Sequence, residues 1–337
     1  GDAGLHPLLD GLERRVLALE RVDADEQLKA EHGEAEPVRL VRERAAEGVR
    51  IAYGLGDRGA IAQCIVAIAG HDLAASVDLA DLDSVRTLSR TLEAQGQPIV
   101  AIFNSHWHLD HNSGNIALRK RWPSAVVYSN DAALSEALGS FLARGLESNR
   151  KALADAGTPV ALADDLRGDI STVEQGALLH STVSIETART LTIGGRTLEV
   201  HAAKAASAGD LWIYDPAAKL VMTGDLVTLP APFLDTAYPK TWRAELDAVL
   251  ATPFVRAIPG HGREMTRADI TLYRDAFGAL LDCAASNAPA ATCADAWSAA
   301  ARPLLDDQSG DAIAASRYAG YCVENILRKP GLSAGCM

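Results

Sequence analysis

The stretch Asn104-Ser105-His106-Trp107-His108-Leu109-Asp110-His111-Asn112-Ser113-Gly114 places three imidazoles and a carboxylate within six residues, His106 to His111. Each such group is costly to bury unless it is hydrogen-bonded, paired or bound to metal. The cluster therefore reads as a metal site. Imidazole nitrogen with carboxylate oxygen suits zinc, iron or manganese, and no cysteine lies nearby to build a closed structural zinc site.

The flanking elements position these groups. Gln97 to Phe103 is an apolar run that reads as a buried strand, and Asn115 to Arg121 reads as the start of a helix capped by Asn112 or Ser113. A compact loop between them lets His106 and His108 face one point while Asp110 and His111 face a neighbouring one. Two adjacent ions could be served.

The H-x-H-x-D-H signature is followed by Met222-Thr223-Gly224-Asp225-Leu226 and then by Ile258-Pro259-Gly260-His261-Gly262. In this order the motifs resemble the metallo-β-lactamase-fold hydrolases, glyoxalase II-like enzymes and lactonases among them, from about Ala60 to His261. The resemblance implies an α/β fold, the αββα sandwich of that family, here with added N-terminal and C-terminal helices. It implies metal ligation by His106, His108, Asp110, His111, Asp225 and His261, with Asp225 bridging and Asp110 also orienting the nucleophile. Asp78 is in register for the acidic residue that supports the metal loop by hydrogen bonding.

One family feature is missing. The stretch Ala203-Lys204-Ala205-Ala206-Ser207-Ala208-Gly209-Asp210 puts Ala206 where the family carries a further ligand histidine on an H-x-x-G loop. His201, five residues earlier, is a candidate substitute ligand, and Lys204 a candidate substitute charge. The set Asp110, His111, His261 and Asp225 is sufficient for one zinc, whereas His106 and His108 with Asp225 make a poorer one. One firmly bound ion is expected, the second weak or absent, with iron or manganese as alternatives to zinc.

With 337 residues and 48% hydrophobic content the chain can bury one large core. A net charge of -12 disfavours a nucleic-acid partner, since neutralising phosphates needs a basic face. No apolar run reaches the roughly 18 residues of a membrane span, and Gly1-Asp2-Ala3 lacks a signal-peptide pattern, as a mature or trimmed chain would. Cys283, Cys293, Cys322 and Cys336 cluster near the C-terminus, and Cys64 reads as a packed thiol. Pairing of sequence neighbours, Cys283 with Cys293 and Cys322 with Cys336, would mark a periplasmic or secreted protein; free thiols would mark a cytoplasmic one.

Residues 1–59 read as an N-terminal helical extension, 60–265 as the core with a helical insertion over 130–181, and 266–337 as a C-terminal helical part of the same domain. Leu5 to Asp23 has helical periodicity, as does Leu82 to Leu92. Arg189 to Ile193 and Thr197 to His201 read as a hairpin across Gly194-Gly195, followed by strands at Leu211 to Tyr214 and Leu220 to Thr223. Thr241 to Leu250 reads as a helix, Phe254 to Ile258 as a strand delivering His261 on a loop, and Thr266 as the cap of a further helix.

The chemistry these residues imply is hydrolysis by metal-bound hydroxide of an ester, lactone, thioester or β-lactam bond in a small-molecule substrate. Trp107, Phe233 and Tyr238 are candidates to line the mouth. The competing reading, prompted by Ala206, is a catalytically impaired metal-binding accessory protein of the periplasm. The oligomeric state is not encoded in any of these patterns.

Overall fold

A computed structural model describes residues 64–68, 74–77, 99–305 and 311–329. The expected helices before Cys64 and over 82–92, Asp78, Cys336 and the Cys64 side chain lie outside that description. The first sheet takes strands β1 (Cys64–Ile68), β2 (Ala74–Val77), β3 (Ile99–Asn104), β4 (Val126–Ser129) and β5 (Val183–Ser184), in the order β2-β1-β3-β4-β5. Between β3 and β4 run α1 (Leu109–Asn112) and α2 (Asn115–Arg121). Between β4 and β5 run α3 (Asp131–Gly139), α4 (Phe141–Ala154) and α5 (Val160–Glu174).

The second sheet holds β6 (Arg189–Ile193), β7 (Arg196–Ala203), β8 (Asp210–Asp215), β9 (Leu220–Thr228), β10 (Arg256–His261) and β11 (Met265–Thr266). These run in sequential order across it. Helix α6 (Pro239–Ala251) connects β9 to β10, and α7 (Arg267–Ala284), α8 (Ala290–Ala301) and α9 (Asp311–Cys322) follow.

Side chains alternate between the two faces of a strand, and both faces of β8 are buried. Leu211 and Ile213 point towards the first sheet, meeting Ala101 and Phe103 with Leu198, Val200 and Met222. Trp212 and Tyr214 point the other way and join Trp242, Tyr273, Phe277 and Trp297 of the helices. The result is the α/β sandwich expected, with both faces of the second sheet covered.

Local chemistry marks two helix starts, and the Asn130 side chain accepts from Ala133 N at that of α3. Thr266 and Asp269 form a reciprocal capping box at the start of α7. Cys283 is disulfide-bonded to Cys293, fastening the end of α7 to α8 as expected. Cys322 is buried in the same helical core, and its expected partner lies outside the described residues. No helix among the described residues is long and apolar enough to cross a membrane.

Two expectations are corrected. Neither Asn112 nor Ser113 caps α2: Gly114 holds that place without a side-chain bond, because Asn112 is itself the last residue of α1 and its side chain turns back to the Trp107 carbonyl at 2.9 Å. Nor does His261 follow on a loop. Strand β10 continues through it, pairing parallel to β9 at Pro259 with Gly224 and at His261 with Thr228 through two register shifts.

Candidate metal centre

Strand β3 ends against the site, and the turn after it is held rigidly. The Asn104 amide donates to the His111 carbonyl at 2.9 Å and to Asn115 Oδ1 at 3.1 Å, while Asn115 returns a 2.7 Å bond to Asn104 Oδ1. Ser105 Oγ lies 3.1 Å from His106 Nδ1 and 2.9 Å from His111 Nδ1. One hydroxyl thus anchors the outer nitrogens of two imidazoles and leaves their Nε2 atoms to face inwards. Close approach of β9 to this turn needs Gly224, which has φ 52°; a Cβ there would fall 2.5 Å from the Ser105 Cβ.

The side chains converge in two groups. His106, His108 and Asp225 bring one nitrogen or oxygen each within 4.8 Å of one another, and Asp110, His111 and His261 do the same. Asp225 ties the groups together: its carboxylate lies 3.7 Å from His106 Nε2, 3.3 Å from His111 Nε2 and 3.7 Å from His261 Nε2. Asp110 Oδ2 is 3.3 Å from His111 Nε2 and 3.1 Å from His261 Nε2. Yet His106 Nε2, His111 Nε2 and Asp225 Oδ1 are buried and make no hydrogen bond.

Electrostatics points the same way. Burial works against charge on His111, but Asp225 and Asp110 outweigh it and hold the imidazole up at about 10. Burial likewise opposes charge on His261, which the same two carboxylates hold above its ordinary value. Against the opposing effect of burial, His111 and the other histidines keep Asp225 and Asp110 well below the usual carboxylate range. His106 is held well below its ordinary value by burial and by its neighbours His111 and His108. The pair of carboxylates therefore demands positive charge, from protons or from a cation.

The remaining candidates fall elsewhere. His201 stacks flat on Trp212, its cross-strand partner, with ring centroids 3.7 Å apart, and belongs to neither group. Lys204 is exposed, its ammonium 5.7 Å above the Tyr238 ring. Trp107 is buried beside Phe141 and presents an edge to His108 at 4.4 Å. Phe233 is half-buried and meets His108 edge-on at 5.2 Å. Ala206 is fully buried and brings no ligating side chain.

Several contributors carry no sequence motif. Ser105 could be suspected only as the polar neighbour of His106. Thr236 lies 128 residues from His108, whose Nε2 it meets at 3.0 Å. Asp210 clamps the loop after β7: its Oδ2 accepts from Ala205 N at 2.8 Å and Ser207 N at 2.9 Å, and its Oδ1 from Ser207 Oγ at 2.9 Å.

Burial pushes the Asp210 carboxyl up to about 7 despite these donors. An unfolded aspartate titrates near 3.9, roughly, so between there and about 7 the folded state holds the extra proton and stability falls as pH rises. Asp210→Asn removes the charge while its amide oxygen can still accept from both backbone amides and its amide nitrogen donates to Ser207 Oγ, reversing the third bond. Its stability relative to the parent should therefore climb as pH rises through that window, read from urea midpoints across the range. Parallel profiles for the two proteins would refute it.

A sequence model of the metallo-beta-lactamase superfamily matches residues 74–261, more than half of the chain. Two relatives are hydroxyacylglutathione hydrolases. The one from Acaryochloris marina (strain MBIC 11017) is 42% identical over 62 residues, 18% of this chain and 23% of that protein. The one from Synechococcus sp. (strain JA-3-3Ab) is 54% identical over 37 residues, 11% and 15% respectively. The chain thus spans less than a quarter of the length of these relatives. Among solved structures, a stereoselective inverting sec-alkylsulfatase from Pseudomonas sp. is 18% identical over 74% of this chain and 44% of its own, with a TM-score of 0.48.

Proposed function

The chain belongs to the metallo-beta-lactamase superfamily, and we propose that it is a metal-dependent hydrolase whose metal ligands, in two groups, are His106, His108, Asp110, His111, Asp225 and His261. The observation that carries this reading is the trio of buried, unbonded atoms, His106 Nε2, His111 Nε2 and Asp225 Oδ1. Buried polar atoms without a hydrogen bond are expensive, and cations held by the two groups that share Asp225 would satisfy all three. Zinc fits this donor set, and iron or manganese would use the same atoms.

Asp110, His111 and His261 with the shared Asp225 form the fuller set and hold the firmer ion. His106 and His108 with Asp225 hold a weaker one, because no third imidazole joins them. When bound, a divalent cation supplies an acidified water and polarises the bond under attack. The chain's own residues do the rest. Ser105 keeps His106 and His111 facing inwards, and the Asp110 carboxylate, 3.1 Å from His261 Nε2, orients the nucleophile at the open side of the site. Phe233, half-buried against His108, offers an apolar wall to a substrate acyl group.

The bond cleaved is of the ester, lactone, thioester or β-lactam type. Because two relatives are named hydroxyacylglutathione hydrolases, an acyl-glutathione thioester is the first substrate to try. The Cys283–Cys293 disulfide supports an oxidising compartment, periplasmic or extracellular.

The test is elemental analysis of zinc-loaded protein after dialysis, followed by a screen of those four bond types with Asp110→Ala as control. One tightly held equivalent per chain and a turnover lost in the control are expected. Failure to take up any metal would overturn the hydrolase reading.

A further inference from the structure

We propose that Thr236 is a positioning residue that selects the tautomer of His108 and so aims its Nδ1 lone pair at the ion; this rests on the metal-binding reading above. Thr236 is buried, with Oγ1 2.8 Å from the Ala206 carbonyl oxygen and 3.0 Å from His108 Nε2. A carbonyl only accepts, and a hydroxyl has one proton to give. That proton goes to Ala206, so towards His108 the hydroxyl has only a lone pair to offer. His108 Nε2 must be the donor. In the neutral ring Nδ1 then keeps its lone pair.

The direction is locked because the acceptor cannot swing away. Tyr238 N donates to the Ala205 carbonyl at 2.7 Å, Thr241 Oγ1 donates to the Lys204 carbonyl, and Asp210 grips the amides of Ala205 and Ser207. Three consecutive carbonyls, those of Lys204, Ala205 and Ala206, are thus tied to the segment 236–241. The His108 ring is equally confined, with the rings of His106 at 4.3 Å, Trp107 at 4.4 Å and Phe233 at 5.2 Å all close to edge-on.

The consequence concerns the weaker position. The loop that brings Ala206, with no imidazole, to the site contributes a backbone carbonyl instead, relayed through Thr236. Partners of this outer kind fix ring orientation and raise ligand basicity, and losing one costs about 10–100-fold in metal affinity. With only His106, His108 and Asp225 in that group, the loss has nothing to hide behind.

The experiment combines NMR of the histidine ring nitrogens in metal-stripped protein, at about pH 8, above the ordinary imidazole titration, with stepwise zinc titration against a chelating dye. The parent protein should show His108 as the Nε2–H tautomer. Thr236→Val should lose that preference and weaken the looser zinc equivalent by about 10–100-fold, leaving the tighter one unchanged, and Thr236→Ser should restore both. An Nδ1–H ring in the parent, or a Thr236→Val protein with unaltered tautomer and affinities, would overturn the assignment. Should Thr236→Val not fold, Thr236→Ala and the parent ring signals decide. If the parent takes up no zinc, the hydrolase reading fails, while the ring tautomer still judges Thr236.

Discussion

Gly260→Ala is expected to strip the protein of metal and to destabilise it by about 3 kcal/mol, the upper end of ordinary overpacking costs. A Cβ on Gly260 would lie 1.9 Å from Asp225 Oδ1, 2.8 Å from the Gly224 carbonyl carbon and 2.9 Å from Asp225 N. Two of those three atoms are backbone of β9, which β8 and β10 hold from either side. They cannot retreat without parting the strands. The cheaper relief is to drive the Asp225 carboxylate aside, and that carboxylate stands between the histidines of both groups. Zinc content per chain and urea midpoints, taken together, check this. A Gly260→Ala protein with a full metal complement would mean that β9 and β10 separate more easily than their packing implies.

The glycine illustrates what a sequence can carry. The H-x-H-x-D-H cluster is legible because its members are neighbours in the chain, so one turn suffices to gather them. The Thr266 cap is legible for the same reason, its partner Asp269 being three residues away. Asp225 and His261 were expected on resemblance alone, since no local rule brings residues this distant in sequence to one point. Thr236 and Asp210 gave no signal, because their roles depend on which carbonyls and amides the loop after β7 presents.

His201 shows the same limit from the other side. As a histidine five residues from Ala206 it was a reasonable substitute ligand. Its fate turned on strand register: pairing of His201 with Trp212 across β7 and β8 sets the two rings on one face, where they stack. A period-two pattern predicts alternation but not which residue lies opposite, so the stack could not be read in advance. Helix α2 differs for a related reason. Asn112 has the chemistry of a cap, but it ends α1 and its side chain turns back to the Trp107 carbonyl.

Asp225→Asn should abolish hydrolysis to the level of about a thousandth or less of the parent rate, a loss of roughly 4 kcal/mol in transition-state stabilisation. The substitution conserves volume, which matters because Asp225 is only 3% exposed and packs directly on Gly260. Charge and one acceptor oxygen are lost. Both groups should suffer, since this carboxylate approaches His106 at 3.7 Å and His111 at 3.3 Å. Asp110→Asn is the discriminating partner, because Asp110 contacts His111 and His261 but is not among the His106 and His108 group. Metal analysis should therefore find the Asp225 variant deficient at both positions and the Asp110 variant deficient at one. Asp225→Glu is not expected to rescue it: the charge returns, but the extra methylene must enter the gap that Gly260 already fills to contact distance. Near-normal metal content and turnover in Asp225→Asn would show that the two histidine groups act independently, and the bridging role of Asp225 would have to be abandoned.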